Sequence, residues 1–263
     1  MTTVASRKPW WLGEKEALLR LAARTSPAFV YSKRAIVEAV TRLRQLSSVD
    51  RLFFAVKANH NDDVLRTVES LGVGFECVSL AELNHVQSLF HAIDADRLLF
   101  TPNFAPKVEY EAALSKGVHV TIDSPYPLEK WPELFAGRDI ILRVDPGSGN
   151  GHHQFVHTAG KEAKFGADAD DIEKIKHIAD DIRCRVVGIH SHAGSGILDE
   201  KHWVDTTQHL YTVKQHFKSI HIVNIGGGLG IPQSNFEQNP INFTAFDAGL
   251  SKVGKASLRA LLI

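Results

Sequence analysis

The chain has 263 residues, 44% hydrophobic and 23% charged, an ordinary globular composition with room for one α/β barrel or two small domains. Thirty basic residues balance thirty acidic ones, so no net field draws the protein to nucleic acid or to an anionic membrane surface. No apolar stretch approaches a membrane span, no secretory core follows the first residues, and Cys77 and Cys184 have no paired spacing; a cytoplasmic protein without a disulfide framework is expected.

Apolar, β-branched runs then alternate with amphipathic stretches. The expected strands are Ala28–Tyr31, Leu52–Ala58, Gly74–Val78, Arg97–Thr101, His119–Asp123, Ile140–Asp145, Val186–His192 and His221–Ile225. Between them, Lys33–Leu46 carries Ile36, Val37, Val40 and Leu43 at helical spacing, Asp62–Ser70 opens on acidic residues that suit a helix start, and Asp168–Asp181 places Ile172, Ile175 and Ile178 near one face. Such alternation predicts a parallel sheet with crossover helices, an α/β fold. After Gly226-Gly227-Gly228 there is room for one helix and one apolar run, Leu258–Ile263, which reads as the start of a buried strand.

The chemistry-bearing residues sit at the ends of these runs. Lys57 closes Leu52-Phe53-Phe54-Ala55-Val56, five apolar residues leading into an ammonium group. The carboxyl end of a buried strand is where barrels and open α/β sheets place their sites, and desolvation there leaves more free amine to attack carbonyls. A snorkelling lysine is the plain alternative. Glu76 and Arg143 are charges inside apolar strands, either an ion pair with each other or contacts to a ligand. His190 and His192, two apart, share a strand face ahead of Gly194-Ser195-Gly196. They could bind metal, move protons or lie on a planar ring, and Ser195 could donate to a phosphate. His152, His153 and His157 read as solvated loop residues; Lys164-Phe165-Gly166 is a candidate anion contact or lid, though its spacing alone favours an exposed loop lysine. The three glycines Gly226, Gly227 and Gly228 follow a strand and let backbone amides approach an anion. The dinucleotide-binding pattern fails there, because its sixth position is Ile231. A carbonyl-seeking amine, a ring contact and a phosphate cradle, taken in this order, meet the needs of pyridoxal 5'-phosphate.

The ordered set Ala55-Val56-Lys57-Ala58-Asn59, Phe75-Glu76-Cys77-Val78-Ser79, Arg143-Val144-Asp145-Pro146-Gly147, Lys164-Phe165-Gly166, His190-Ser191-His192-Ala193-Gly194-Ser195-Gly196 and Gly226-Gly227-Gly228 resembles the alanine racemase-like, fold-type III pyridoxal-phosphate decarboxylases, above all the diaminopimelate decarboxylases, including those fused to aspartate kinase. The resemblance implies a (β/α)8 barrel of the TIM type and decarboxylation of meso-2,6-diaminopimelate to L-lysine, a step of lysine biosynthesis. A small amino acid would be the substrate, with neither nucleic acid, membrane nor metal involved. It implies that Lys57 bonds the cofactor, His192 stacks on its ring, Ser195 and Gly226, Gly227 and Gly228 hold its phosphate, and Arg143 stands near cofactor and substrate. Glu76 occupies a position where relatives carry the shorter aspartate. The family also has a Glu-Pro-Gly-Arg strand exit and a β-domain that completes the site across a homodimer. Neither is found before Ile263, so a barrel over 28–263, behind an extension at 1–27, is expected to be cut in its eighth strand and to leave open sheet edges. A non-catalytic cofactor-binding barrel, an ornithine- or arginine-type decarboxylase and a metal-dependent barrel hydrolase are the alternatives. The late position of His190-x-His192 speaks against the last.

Overall fold

The computed structural model describes residues 9–146, 165–192, 194–232 and 238–254, and the backbone of 259–262. Eight parallel strands close into a barrel in chain order: β1 (Arg51–Ala55), β2 (Gly74–Cys77), β3 (Leu98–Phe100), β4 (His119–Ile122), β5 (Asp139–Arg143), β6 (Arg185–His190), β7 (Ile222–Asn224) and β8 (Arg259–Leu262). The predicted barrel is therefore observed. Its eighth strand is as short as expected, yet it pairs with both β7 and β1, so the two free edges expected of a cut barrel do not arise.

Strands that feed crossover helices are covered on both faces, which is why they read as continuous apolar runs. β2 and β3 are buried at every position. The intervening helices start where polar caps precede apolar spacing. Asn61 accepts hydrogen bonds from the Asp63 and Val64 amides ahead of helix Asp62–Ser70, which buries Val64, Leu65 and Val68. Ser32 caps Lys33–Leu43, Asp168 caps Ala169–Ile182 and Asn242 caps Phe243–Val253. Among the described residues no helix is long and apolar enough to cross a membrane. Cys77 and Cys184 are buried free thiols.

One expected strand is absent. Ala28–Tyr31 is irregular chain with Phe29 89% exposed. Its β-branched and aromatic residues fit a pleated surface only where neighbours exist to pack on, and this segment precedes the barrel without joining it.

The barrel interior is filled in layers drawn from alternate strands. Phe53 of β1, Leu99 of β3, Ile141 of β5 and Ile222 of β7 form one apolar layer. Two of the even strands, β2 and β6, make room for it with glycine. A Cβ on Gly74 would stand 2.6 Å from the Phe53 ring, and one on Gly188 would stand 3.0 Å from Ile141. Below this layer, at the amino end, Asp96 joins Arg51 at 2.5 Å and His119 at 2.7 Å. Above it, the register brings polar side chains inward: Glu76, Thr101, Thr121, Asp123, Arg143, His190 and Asn224, all buried.

Candidate active site

This polar tier opens at the carboxyl ends of the strands into a cleft of about 230 Å³. Its lining includes Lys57, Glu76, Asn103, Arg143, His192 and Gly227. The site is thus assembled from the ends of successive strands, the place where parallel barrels present loops rather than packed helices.

Lys57 reaches it by a short detour. β1 stops at Ala55, earlier than the apolar run suggests, and one 3₁₀ turn, Val56–Ala58, carries the side chain over the cleft. Nζ lies 3.5 Å from Glu76 Oε2. The two environments differ sharply: the Lys57 side chain is 53% exposed, the Glu76 side chain 2%. The desolvated lysine inferred from the run is not found; its carboxylate partner is the desolvated one. Burial raises the Glu76 carboxyl above the ordinary glutamate value, Lys57 pulls it back and Glu82 pushes it up again.

Arg143 ends β5 within the tier. Its Nη1 donates to Asn103 Oδ1 at 2.7 Å, and its guanidinium stands 5.1 Å over the Phe165 ring. Burial lowers its pKa, while Asp123 and Glu76 raise it. An ion pair of Arg143 with Glu76 was one reading of the sequence. The structure gives Arg143 an amide and an aromatic face as direct contacts, with both carboxylates acting at longer range. Phe104, which follows Asn103 at φ 54°, packs on Phe165 with ring centroids 5.7 Å apart.

His190 ends β6 and His192 follows it. Burial, then the positive charges of Arg143 and Lys57, push His192 down to about 4. Burial, Arg143 and His192 push His190 well below the usual histidine value. Both rings are therefore neutral at pH 7, suited to hydrogen bonding and stacking rather than to carrying charge.

Two loops close the remaining wall. The loop after β6 and the turn after β7 are stitched by Ile197 N–H to Gly228 O at 2.9 Å and Gly230 N–H to Ile197 O at 2.8 Å. Gly226 and Gly228 have φ of 72° and 92°, and the backbones come so close that a Cβ would collide with Ser191 O at the first position and with Gly194 O at the second. Asn224 Oδ1 accepts from the Gly226 amide at 3.0 Å and fixes the start of the turn. Ser195 is exposed beside Gly228 rather than in the cleft lining. Lys164, Gly147, Ala193, His152, His153 and His157 lie outside the described residues. Among the described residues no three metal-ligating side chains converge.

Sequence reasoning missed Asn103, Thr101, Asp123 and Asn224. Each ends or follows an apolar run, the same signal that picked out Lys57, but a short neutral side chain or a lone aspartate there is what many strand ends carry.

A sequence model of the pyridoxal-dependent decarboxylases, covering their pyridoxal binding domain, matches residues 33–256. The chain is 32% identical over 243 residues to the diaminopimelate decarboxylase of Methanothermobacter thermautotrophicus, covering 89% of this chain and 56% of that protein. It is 29% identical over 208 residues to the ornithine decarboxylase of Leishmania donovani, covering 77% and 28%. A crystal structure of a diaminopimelate decarboxylase superposes with a TM-score of 0.82 at 25% identity, covering 94% of this chain and 60% of that one. The chain spans about half the length of the curated diaminopimelate decarboxylases it matches.

Proposed function

The chain belongs to the pyridoxal-dependent decarboxylases through their pyridoxal binding domain, and from that premise we propose that it binds pyridoxal 5'-phosphate at Lys57 and serves the decarboxylation of meso-2,6-diaminopimelate to L-lysine. The observation that carries this reading is the pairing of the half-exposed Lys57 amine with the buried Glu76 carboxyl, 3.5 Å apart, in one cleft with His192 and a glycine turn.

The residues fit the cofactor. The paired loops leave no room for a Cβ at Gly226 or Gly228, as a phosphate cradle built from backbone requires. Ser195 borders that cradle as a hydroxyl donor. When bound, pyridoxal phosphate supplies an electron sink for the pair left by a departing carboxylate. In the reaction the bond to one carboxylate breaks, carbon dioxide leaves, and a proton takes its place on carbon. Lys57 would hold the cofactor through its amine, which Glu76 keeps over the cleft. His192, neutral and lining the same cleft, would support the cofactor ring. Arg143, braced by Asn103 and Phe165, keeps one fixed positive charge beside the cofactor.

The preference for diaminopimelate rests on the relatives of that name, at 26–32% identity. A cytoplasmic setting and a homodimer belong to the same proposal, the first supported by two buried free thiols. Carbon dioxide release should be followed with diaminopimelate, ornithine and arginine in turn, with added cofactor. Release from diaminopimelate, abolished in Lys57→Ala, is the expected result. Release from ornithine or arginine alone would replace the substrate, and undiminished release from Lys57→Ala would remove the assigned role of the lysine.

A further inference from the structure

Among the described residues of the buried polar tier, two side-chain atoms lack a hydrogen-bond partner, and one of the two side chains lines the cleft. Asp123 Oδ2 is one of the two, set back from the lining. His190 Nδ1 is the other, on a ring that lines the cleft and is 3% exposed. The register places His190 between Arg143 of β5 and Asn224 of β7. Arg143 is already committed to Asn103 and to the face of Phe165. Asn224 is committed to the Gly226 amide; its side chain comes within reach of the histidine ring, yet Nδ1 has no hydrogen bond of good geometry. A buried polar atom without a hydrogen bond of good geometry is costly. The ring is one of the side chains that line the cleft.

We propose that His190 is a second ligand-binding histidine of this site, whose Nδ1 hydrogen-bonds the bound pyridoxal phosphate directly. The inference rests on the cofactor reading above and extends it to a residue which that reading does not use. His192, the other histidine of the pair, keeps its stacking role. Because burial and Arg143 hold the His190 ring neutral, its contribution is a directional hydrogen bond and not a charge, and it should change little with ionic strength. Asn224, whose Oδ1 holds the Gly226 amide, stands beside His190 in the sheet and fixes the start of the glycine turn next to it.

The test uses the intact chain and pyridoxal phosphate itself, and reads binding rather than turnover. Dissociation constants come from absorbance titration of wild type, His190→Leu and His190→Asn. Asparagine places a polar atom near the position of Nδ1, whereas leucine fills the space without one. Leucine should loosen binding roughly tenfold and asparagine should recover most of that loss, the scale of one buried hydrogen bond. Nitrogen NMR of the wild-type histidines gives a reading that needs no variant: the His190 Nδ1 resonance should move when cofactor is added. The assignment is overturned if His190→Leu binds within about twofold of wild type, if asparagine is no better than leucine, or if the Nδ1 resonance stays in place in a wild-type protein that binds. A wild-type chain that binds no pyridoxal phosphate would overturn the cofactor reading first, and this inference with it.

Discussion

Arg143 illustrates what a single buried charge demands of its surroundings. The sequence marked it as needing a partner, and the structure supplies Asn103, which no spacing rule had singled out. Asn103 lies just beyond the end of β3 and lines the cleft beside Arg143. Asn103→Ala should therefore cost about 1.5–3 kcal/mol in urea unfolding, the range for a hydrogen bond to a charged group. An unchanged midpoint would mean that Phe165 and the carboxylates hold Arg143 without it. Gly228 makes the opposite point, since three glycines after an apolar run already announce a turn with close backbone approach. A side chain there would run into Gly194 O. Gly228→Ala should push the two loops apart and weaken pyridoxal phosphate binding by at least about tenfold, with the barrel intact by circular dichroism; unaltered affinity would show that the turn is not the cradle.

Strands were the legible elements because parallel strands buried on both faces leave continuous apolar runs. Strand ends were legible because polarity changes abruptly there, which is how Lys57, Glu76, Arg143 and His192 came into view together. Ala28–Tyr31 misled for the same reason: its composition is strand-like, but composition does not say whether a neighbour is present to pair with. The eighth strand itself was legible in the apolar run Leu258–Ile263, but closure by β8 was not, since a short run does not say that it pairs on both sides. At the opposite end of the barrel, Asp96 ties the starts of β1 and β4 together through Arg51 and His119. Burial alone would raise its carboxyl, but the hydrogen bond from His119 and the charge of Arg51 outweigh that and hold it below the ordinary aspartate value. A carboxyl with a lowered folded pKa stabilises the fold above its unfolded value, and that stability is lost as pH falls through the folded value. Asp96→Asn should lower the melting temperature by roughly 2–4 °C at pH 7 and by progressively less in acid. A difference independent of pH would assign the loss to packing.

Over the whole molecule, the barrel is an apolar plug with a polar tier above it, and the tier makes folding sensitive to protons. His192, held down to about 4, must stay neutral in the folded chain while the unfolded chain protonates near the usual histidine value of about 6.5. The unfolded state then binds more protons between these values, so stability falls as pH drops from about 6.5 to about 4. Glu76 and Asp123 act in the other direction: burial raises both, so their contribution is present at low pH and is lost as pH rises through their folded values. Comparing wild type with His192→Phe isolates the part due to His192 and leaves that of His190 in place. The variant should lose stability less steeply than wild type as pH falls from about 6.5 to about 4, and parallel curves would contradict the assigned burial.

The cofactor site stands or falls on Lys57. Purified chain should be titrated with pyridoxal phosphate, its visible spectrum recorded, and the mixture reduced with borohydride before peptide mapping. The expected result is a new visible band and a single reduced label on Lys57, both absent in Lys57→Ala. A folded protein that gives no band, or that carries the label on scattered surface lysines, would contradict the assignment.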